Sequence, residues 1–110
     1  IDARTVSRAR KRNYQYLLER LRNLAFWADW EGDWVPLGFP ILTEAADHLW
    51  EHLSSRDIFA PRHWRDLPSP KSAFSEAHDL SNRIMTLPCD QRYTTKDMER
   101  VVQCVLEVCP

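Results

Sequence analysis

Glycine and long apolar runs are scarce in this sequence. Among 110 residues the two glycines, Gly32 and Gly38, stand apart from each other. A glycine-rich loop that cradles phosphates is therefore missing, which excludes P-loop and dinucleotide-fingerprint chemistry. The longest apolar run, residues 24–28, is much shorter than the ~20 residues that cross a bilayer. We therefore expect neither a membrane partner nor a site of either nucleotide-binding type.

Cysteines are also few, and neither basic nor acidic residues are in clear excess. The cysteines lie late in the chain, at Cys89, Cys104 and Cys109, and form no Cys-x-x-Cys pair. Their odd number argues against a disulfide framework or a structural zinc site, and it favours a reducing, cytoplasmic location. The 15 basic and 16 acidic residues give a net charge of −1, so we expect no nucleic-acid partner.

The length and composition are those of one soluble globular domain. Hydrophobic residues make up 44% of the chain and charged residues 28%, which is the balance of an ordinary folded protein. We predict a single domain over residues 1–110. The chain begins with Ile1 instead of Met, so we expect a fragment or a processed chain.

Apolar spacing and capping residues predict four helices. The first ends near Asn23, the second begins with Thr43 as its N-cap, and the third begins at Ser72. Thr94 and Asp97 match a capping box, with Asp in place of the usual Glu or Gln, before a last helix. That helix carries an apolar stripe at helical spacing, formed by Met98, Val101, Val102, Val105 and Leu106.

Short strands are expected between these helices. The predicted strands cover residues 24–30, 34–42, 58–60 and 84–87. Pro36 and Pro40 remove backbone donors, so we expect the strand over residues 34–42 to be an edge strand or to be broken. Helices alternating with short strands predict a two-layer α/β (α+β) domain, in which a small, partly antiparallel sheet carries the helices on one face.

The loop Arg62-His63-Trp64-Arg65-Asp66 is the strongest candidate for a binding site. Guanidinium groups bind phosphate or carboxylate, an indole stacks on flat or sugar rings, and histidine exchanges a proton near neutral pH. Loops that follow strands often carry function. The alternative, which the residues leave equally open, is a surface loop with a packed tryptophan.

Two other motifs are assigned no function. His48-Leu49-Trp50-Glu51-His52 fits the His-x-x-Glu-His spacing of inverted zincins, but its Glu faces solvent on the helix and a third ligand would be needed. We interpret it as a solvated helix flank and assign no metal ligand. The basic run of residues 8–12 is interpreted as a solvated or inter-domain face.

The run Leu-Ser-Asn-Arg-Ile-Met-Thr-Leu-Pro-Cys-Asp-Gln-Arg-Tyr-Thr-Thr-Lys-Asp-Met, residues 80–98, resembles the closing signature of DegT-type sugar-nucleotide aminotransferases. The rest of the chain is similar in order, with Arg12-Asn13-Tyr14 in the long helix and a short strand before a His-aromatic loop. The resemblance implies the C-terminal small domain of a fold-type I aminotransferase.

In that family pyridoxal phosphate is bound mainly by a larger domain, which supplies the Schiff-base lysine. Nothing here matches those residues, so the resemblance implies a missing N-terminal domain as partner and an isolated chain that is inactive. We assign no catalytic residue. The parent enzyme is expected to be a homodimer that aminates a nucleotide-linked keto-sugar with an amino acid as donor.

The family's loop histidine corresponds to His63 and its aromatic residue, usually Tyr, to Trp64. With Arg62 these are the predicted substrate-binding residues. The family's proline two residues after the histidine is Arg65 here, and its Gly-Ile before the short strand is Asp57-Ile58. Aspartate tolerates the left-handed conformation, so we expect the turn to be kept. The alternative is a non-catalytic binding or assembly module with the same fold.

Overall fold

The computed structural model describes residues 2–27, 36–62 and 75–110. Within these ranges the predicted α+β architecture is confirmed. The elements are α1 (Ala3–Leu21), β1 (Phe39–Leu42), α2 (Ala46–Ser55), α3 (Ser75–Arg83), β2 (Ile84–Leu87) and α4 (Thr95–Val108). None of the helices in these ranges has the length and apolarity that crossing a lipid bilayer demands.

Side-chain caps start the first and last helices. The Asp2 carboxylate accepts the backbone N–H of Arg4 at 3.1 Å and begins α1. At α4 the predicted capping box is confirmed: Thr94 Oγ1 accepts the Asp97 N–H at 3.3 Å, and the Asp97 carboxylate accepts the Thr94 N–H at 2.8 Å. The start of α1 and the start of α4 are therefore each set by residues that are close in sequence.

The predicted start of the second helix is wrong by two residues. Ala45 is the N-cap of α2, and it offers no side-chain hydrogen bond. Thr43 Oγ1 instead accepts the backbone N–H of Ala45 at 3.1 Å, which holds the turn before the helix. The threonine is a local hydrogen-bond acceptor as expected, but of a turn rather than of a helix end.

The sheet buries one face completely. β1 and β2 pair antiparallel, with Phe39 opposite Leu87 and Ile41 opposite Met85, and all four side chains are fully buried. They join one core with the inner faces of α1, α2 and α4. The stripe predicted for α4 holds except at Leu106, whose side chain is 41% exposed.

The strand predicted over residues 24–30 is reduced to a short bonded segment. Phe26 N–H donates to Pro40 O at 2.9 Å, and Leu42 N–H donates to Leu24 O at 2.8 Å. Pro40 has no N–H to return, which limits the ladder on this side of β1. Residues 28–35, where the rest of this predicted hairpin falls, lie outside the described residues.

Residues 58–60 do not form the predicted strand, although Ile58 and Ala60 are buried as expected. Asp57 has a φ of 61°, so the chain leaves α2 through a left-handed residue. The Ile58 N–H then returns to Leu53 O at 2.9 Å, as in a Schellman motif. The expectation that aspartate would keep this turn is confirmed.

Candidate functional site

The guanidinium of Arg62 is fixed inside the fold. Its side chain is only 5% exposed. Nε donates to Ile84 O at 3.0 Å and Nη2 donates to Asn82 O at 3.0 Å, at the junction of α3 and β2. Nη1 donates to the Asp47 carboxylate in the first turn of α2 at 2.8 Å. One side chain thus joins three elements, and charge-assisted hydrogen bonds of this kind are strong.

These contacts fix the point at which the candidate loop begins. The residue before Arg62 is also held, because Pro61 O accepts the Thr86 N–H of β2 at 3.0 Å. His63 and Trp64 follow directly, and they lie outside the described residues. Their contact with substrate stays a prediction. So does that of Arg62, whose N–H groups donate to protein acceptors in this structure.

A cleft of about 150 Å³ opens beside this point. Its walls include Leu37, Phe59, Pro61 and Tyr93. The side chains of Leu37 and Phe59 are 84% and 75% exposed, which is unusual for large apolar residues next to each other in one cleft. Small-molecule sites usually enclose about 300–1,000 Å³. The cleft formed by the described residues is therefore smaller than a typical small-molecule site.

The far side of the cleft is the turn over residues 89–93, which α1 holds from beneath. Asn13 is fully buried. Its Nδ2 donates to the backbone carbonyls of Cys89 at 3.2 Å, Asp90 at 2.9 Å and Tyr93 at 3.1 Å. Sequence reasoning missed this residue, although Asn13 precedes Leu17 by one helical turn on the apolar face of α1.

Two arginines of the basic run in α1 donate hydrogen bonds to the same turn. Arg10 Nε donates to Gln91 Oε1 at 2.8 Å, and Arg12 Nη2 donates to Tyr93 O at 3.1 Å. Arg10 Nη1 also reaches Pro36 O at 3.4 Å. Arg12 is exposed, in keeping with the interpretation of this run as a solvated or inter-domain face, while Arg10 is half-buried. Both also bind the turn that carries the family-like motif, which the sequence did not predict.

The ionisable groups of the turn are poorly suited to acid–base or nucleophilic chemistry. Burial raises the pKa of the Cys89 thiol to about 12, so it stays protonated at neutral pH. The hydrogen bond from Arg92 holds the pKa of the Asp90 carboxyl below its ordinary value, so Asp90 stays ionised. Within the described part of the cleft, the arrangement can bind and shape, and it offers no activated nucleophile.

The His-x-x-Glu-His motif is divided between two environments. His48 and Glu51 are exposed on α2, as the sequence predicts. His52 is half-buried, and its Nε2 lies 2.8 Å from Glu107 Oε1 on α4. The structure therefore turns His52 toward a different helix from the one that carries the motif.

Comparison with known proteins gives a likeness of fold. No protein-family profile matches the sequence, and no curated protein sequence matches it either. Among solved structures, a DegT DnrJ EryC1 StrS aminotransferase from Brucella abortus is similar, with a TM-score of 0.73 and 17% sequence identity. The match covers 93% of this chain and 31% of that chain, so this chain spans less than a third of that protein's length.

Proposed function

We propose that this chain is the small domain of a pyridoxal-phosphate-dependent aminotransferase, which acts on a nucleotide-linked keto-sugar with an amino acid as donor. The observation that carries the proposal is the fold match over 93% of this chain and 31% of an aminotransferase. The family-like run of residues 80–98 also supports it, and members of that run line the cleft, namely Thr86, Leu87, Pro88, Asp90, Arg92 and Tyr93.

Pyridoxal phosphate does not fit the described residues by themselves. The cofactor needs a lysine for the Schiff base in a desolvated pocket. The lysines in the described ranges are Lys11 and Lys96, and neither lines the cleft. The cofactor would therefore be held by the larger domain, and this chain would contribute shape and binding contacts.

The contacts of Arg62 distinguish a residue that positions the loop from the residues that would contact the substrate. Arg62 holds the chain at three acceptors, and we assign it the role of fixing the start of the loop. His63 and Trp64 would then reach the sugar nucleotide from this fixed start. The exposed Leu37 and Phe59 would pack against the larger domain and complete the site, within a parent protein that is a homodimer.

The test uses the full-length protein that carries this chain. His63→Ala is expected to raise KM for the nucleotide keto-sugar or to lower kcat, while the pyridoxal absorbance is retained. His48→Ala is the matched control, because it removes an exposed imidazole from α2. Unchanged kinetics for His63→Ala would remove this residue from the site.

The same experiment separates the alternative function. A binding or assembly module that keeps only the fold would belong to a full-length protein without bound pyridoxal phosphate and without transamination. Wild-type protein that shows neither absorbance nor activity would overturn the enzymatic proposal in favour of that alternative.

A further inference from the structure

Three potential metal ligands meet where α2 packs against α4. They are His52 from α2 and the pair Cys104 and Glu107 from α4, and their ligand atoms all lie within 4.8 Å of one another. Cys104 and Glu107 are three residues apart, which places them on the same side of α4. The cluster joins residues that are more than fifty positions apart in sequence, so the fold creates it.

The burial of the three side chains is graded. Cys104 is 3% exposed, while the side chains of His52 and Glu107 are 21% and 39% exposed. The thiol therefore lies inside the helix interface, with the imidazole and the carboxylate at its rim. An ion could enter from solvent past the two rim groups and reach the sulfur.

The spacing is close to what a tetrahedral ion needs. Zinc binds sulfur at about 2.3 Å and nitrogen or oxygen at about 2.0–2.2 Å, so its ligand atoms lie roughly 3.5 Å apart. The observed separations reach up to 4.8 Å. The pair His52 Nε2 and Glu107 Oε1, at 2.8 Å, has to move apart slightly, and the wider separations have to shorten by about 1 Å. Both side chains are partly exposed, so rotation about their side-chain bonds can supply these shifts.

We propose that His52 Nε2, Cys104 Sγ and Glu107 Oε1 form a site for a divalent transition metal, with Zn²⁺ as the ion that fits best. A thiolate and an imidazole select zinc over magnesium or calcium, which prefer oxygen ligands. A water molecule completes the tetrahedron on the exposed side. This proposal is independent of the aminotransferase function.

The protons and charges balance in this site. Cys104 loses its thiol proton to solvent when the metal binds. In the metal-free protein His52 Nε2 donates its proton to the Glu107 carboxylate. When the metal takes Nε2, that hydrogen bond is lost and the ring carries its one proton on Nδ1, with any surplus proton released to solvent. The thiolate and the carboxylate neutralise the charge of the ion.

Arg56 competes for the same carboxylate. Its Nη1 lies 3.7 Å from Glu107 Oε1. A guanidinium near the site repels a cation and occupies one ligand, so it lowers the affinity. Replacing Arg56 by a neutral residue should therefore raise the metal affinity. This variant tests the site by a gain of binding, whereas the ligand variants test it by a loss.

The probe is Co²⁺ added to the metal-stripped, full-length protein, followed by absorption spectroscopy and titration. Wild-type protein should bind one Co²⁺ at this site, with a thiolate-to-cobalt charge-transfer band that Cys104→Ala removes. Cys109→Ser and His48→Ala are the matched controls, since each removes a ligand type near the ends of the same two helices. Both controls should keep the band.

The proposal would be overturned if wild-type protein showed no charge-transfer band or if Cys109→Ser lost the band. It would also be overturned if His48→Ala weakened Co²⁺ binding as much as His52→Ala does. If Cys104→Ala does not fold, the rim variants decide. His52→Ala and Glu107→Gln should each weaken Co²⁺ binding about tenfold or more, and Arg56→Gln should tighten it. Unchanged affinity in all three rim variants would equally overturn the site.

Discussion

Replacing Asn13 tests whether α1 holds the 89–93 turn through donated hydrogen bonds. The amide is fully buried, and its Nδ2 is shared by three backbone carbonyls at 2.9–3.2 Å. Asn13→Ala removes both N–H donors. The buried Cys89 carbonyl loses this hydrogen bond, while Asp90 O keeps the Tyr93 N–H and Tyr93 O keeps the Arg12 guanidinium. A buried group left unsatisfied costs about 1–3 kcal/mol, so we expect a loss of about 2–4 kcal/mol in the free energy of unfolding.

Asn13→Asp separates hydrogen bonding from packing, because it keeps the size of the side chain. A carboxylate would face three carbonyl oxygens, with partial relief from the Arg12 guanidinium, whose Nη2 lies 3.3 Å from Asn13 Oδ1. At neutral pH we expect Asn13→Asp to lose more stability than Asn13→Ala. Its folded-state pKa would be raised, so this extra loss should shrink as pH falls through that pKa and the acid becomes a donor.

The assay is urea unfolding followed by tryptophan fluorescence. With a denaturant slope of about 1–2 kcal/mol/M, a loss of about 2–4 kcal/mol lowers the midpoint by roughly 1–4 M. Asn23→Asp is the matched control, since Asn23 is exposed just after α1 and its midpoint should hardly move. Wild-type stability for Asn13→Asp at neutral pH would refute the reasoning.

Further predictions concern the backbone, the sheet and the turn. Asp57→Gly should raise the melting temperature, because glycine takes the left-handed φ of 61° without the cost of roughly 1 kcal/mol that a side chain carries there; a lower melting temperature would contradict this. Gly38→Ala should destabilise by about 1–3 kcal/mol, since its Cβ would clash with Thr86 Cγ2. Adding Thr86→Ser should recover most of that loss, and purely additive effects would show that the methyl is not the obstacle. Arg92→Ala should raise the pKa of Asp90 in a carboxyl NMR titration. Because the folded-state pKa of Asp90 is lowered, the stability that Arg92 adds is present above the unfolded pKa and disappears as pH falls through the folded one; a gap between the two proteins that persists in acid would rule this out.

The parts of the fold that depend on neighbouring residues could be predicted from sequence. The Thr94–Asp97 capping box and the β2 strand over Ile84–Leu87 needed only local chemistry, and both were confirmed. The segment after Asp57 reads as a strand because it is apolar, but whether such a segment pairs depends on which backbone groups lie beside it. Sequence does not give that placement.

The candidate site was less predictable because its contacts join distant parts of the chain. Arg62 reads as a ligand-binding guanidinium in a loop, yet its acceptors lie 15 to 22 residues away along the chain and on three elements. Asn13 did carry a signal, since a polar residue stood on the apolar face of α1. The cluster of His52, Cys104 and Glu107 had none, because it exists only when α2 and α4 pack.

The hydrogen bonds from Asn13 to the 89–93 turn span 76 to 80 residues of chain. During synthesis α1 therefore leaves the ribosome long before the carbonyl groups of the 89–93 turn are made. Until then neither the Asn13 amide nor the apolar face of α1 has its complete set of partners. Loop closure over such a span is slow compared with helix formation. Any truncation upstream of Cys89 removes all three carbonyl partners of the Asn13 amide, so we expect such a fragment to lose the attachment that α1 has in the complete fold.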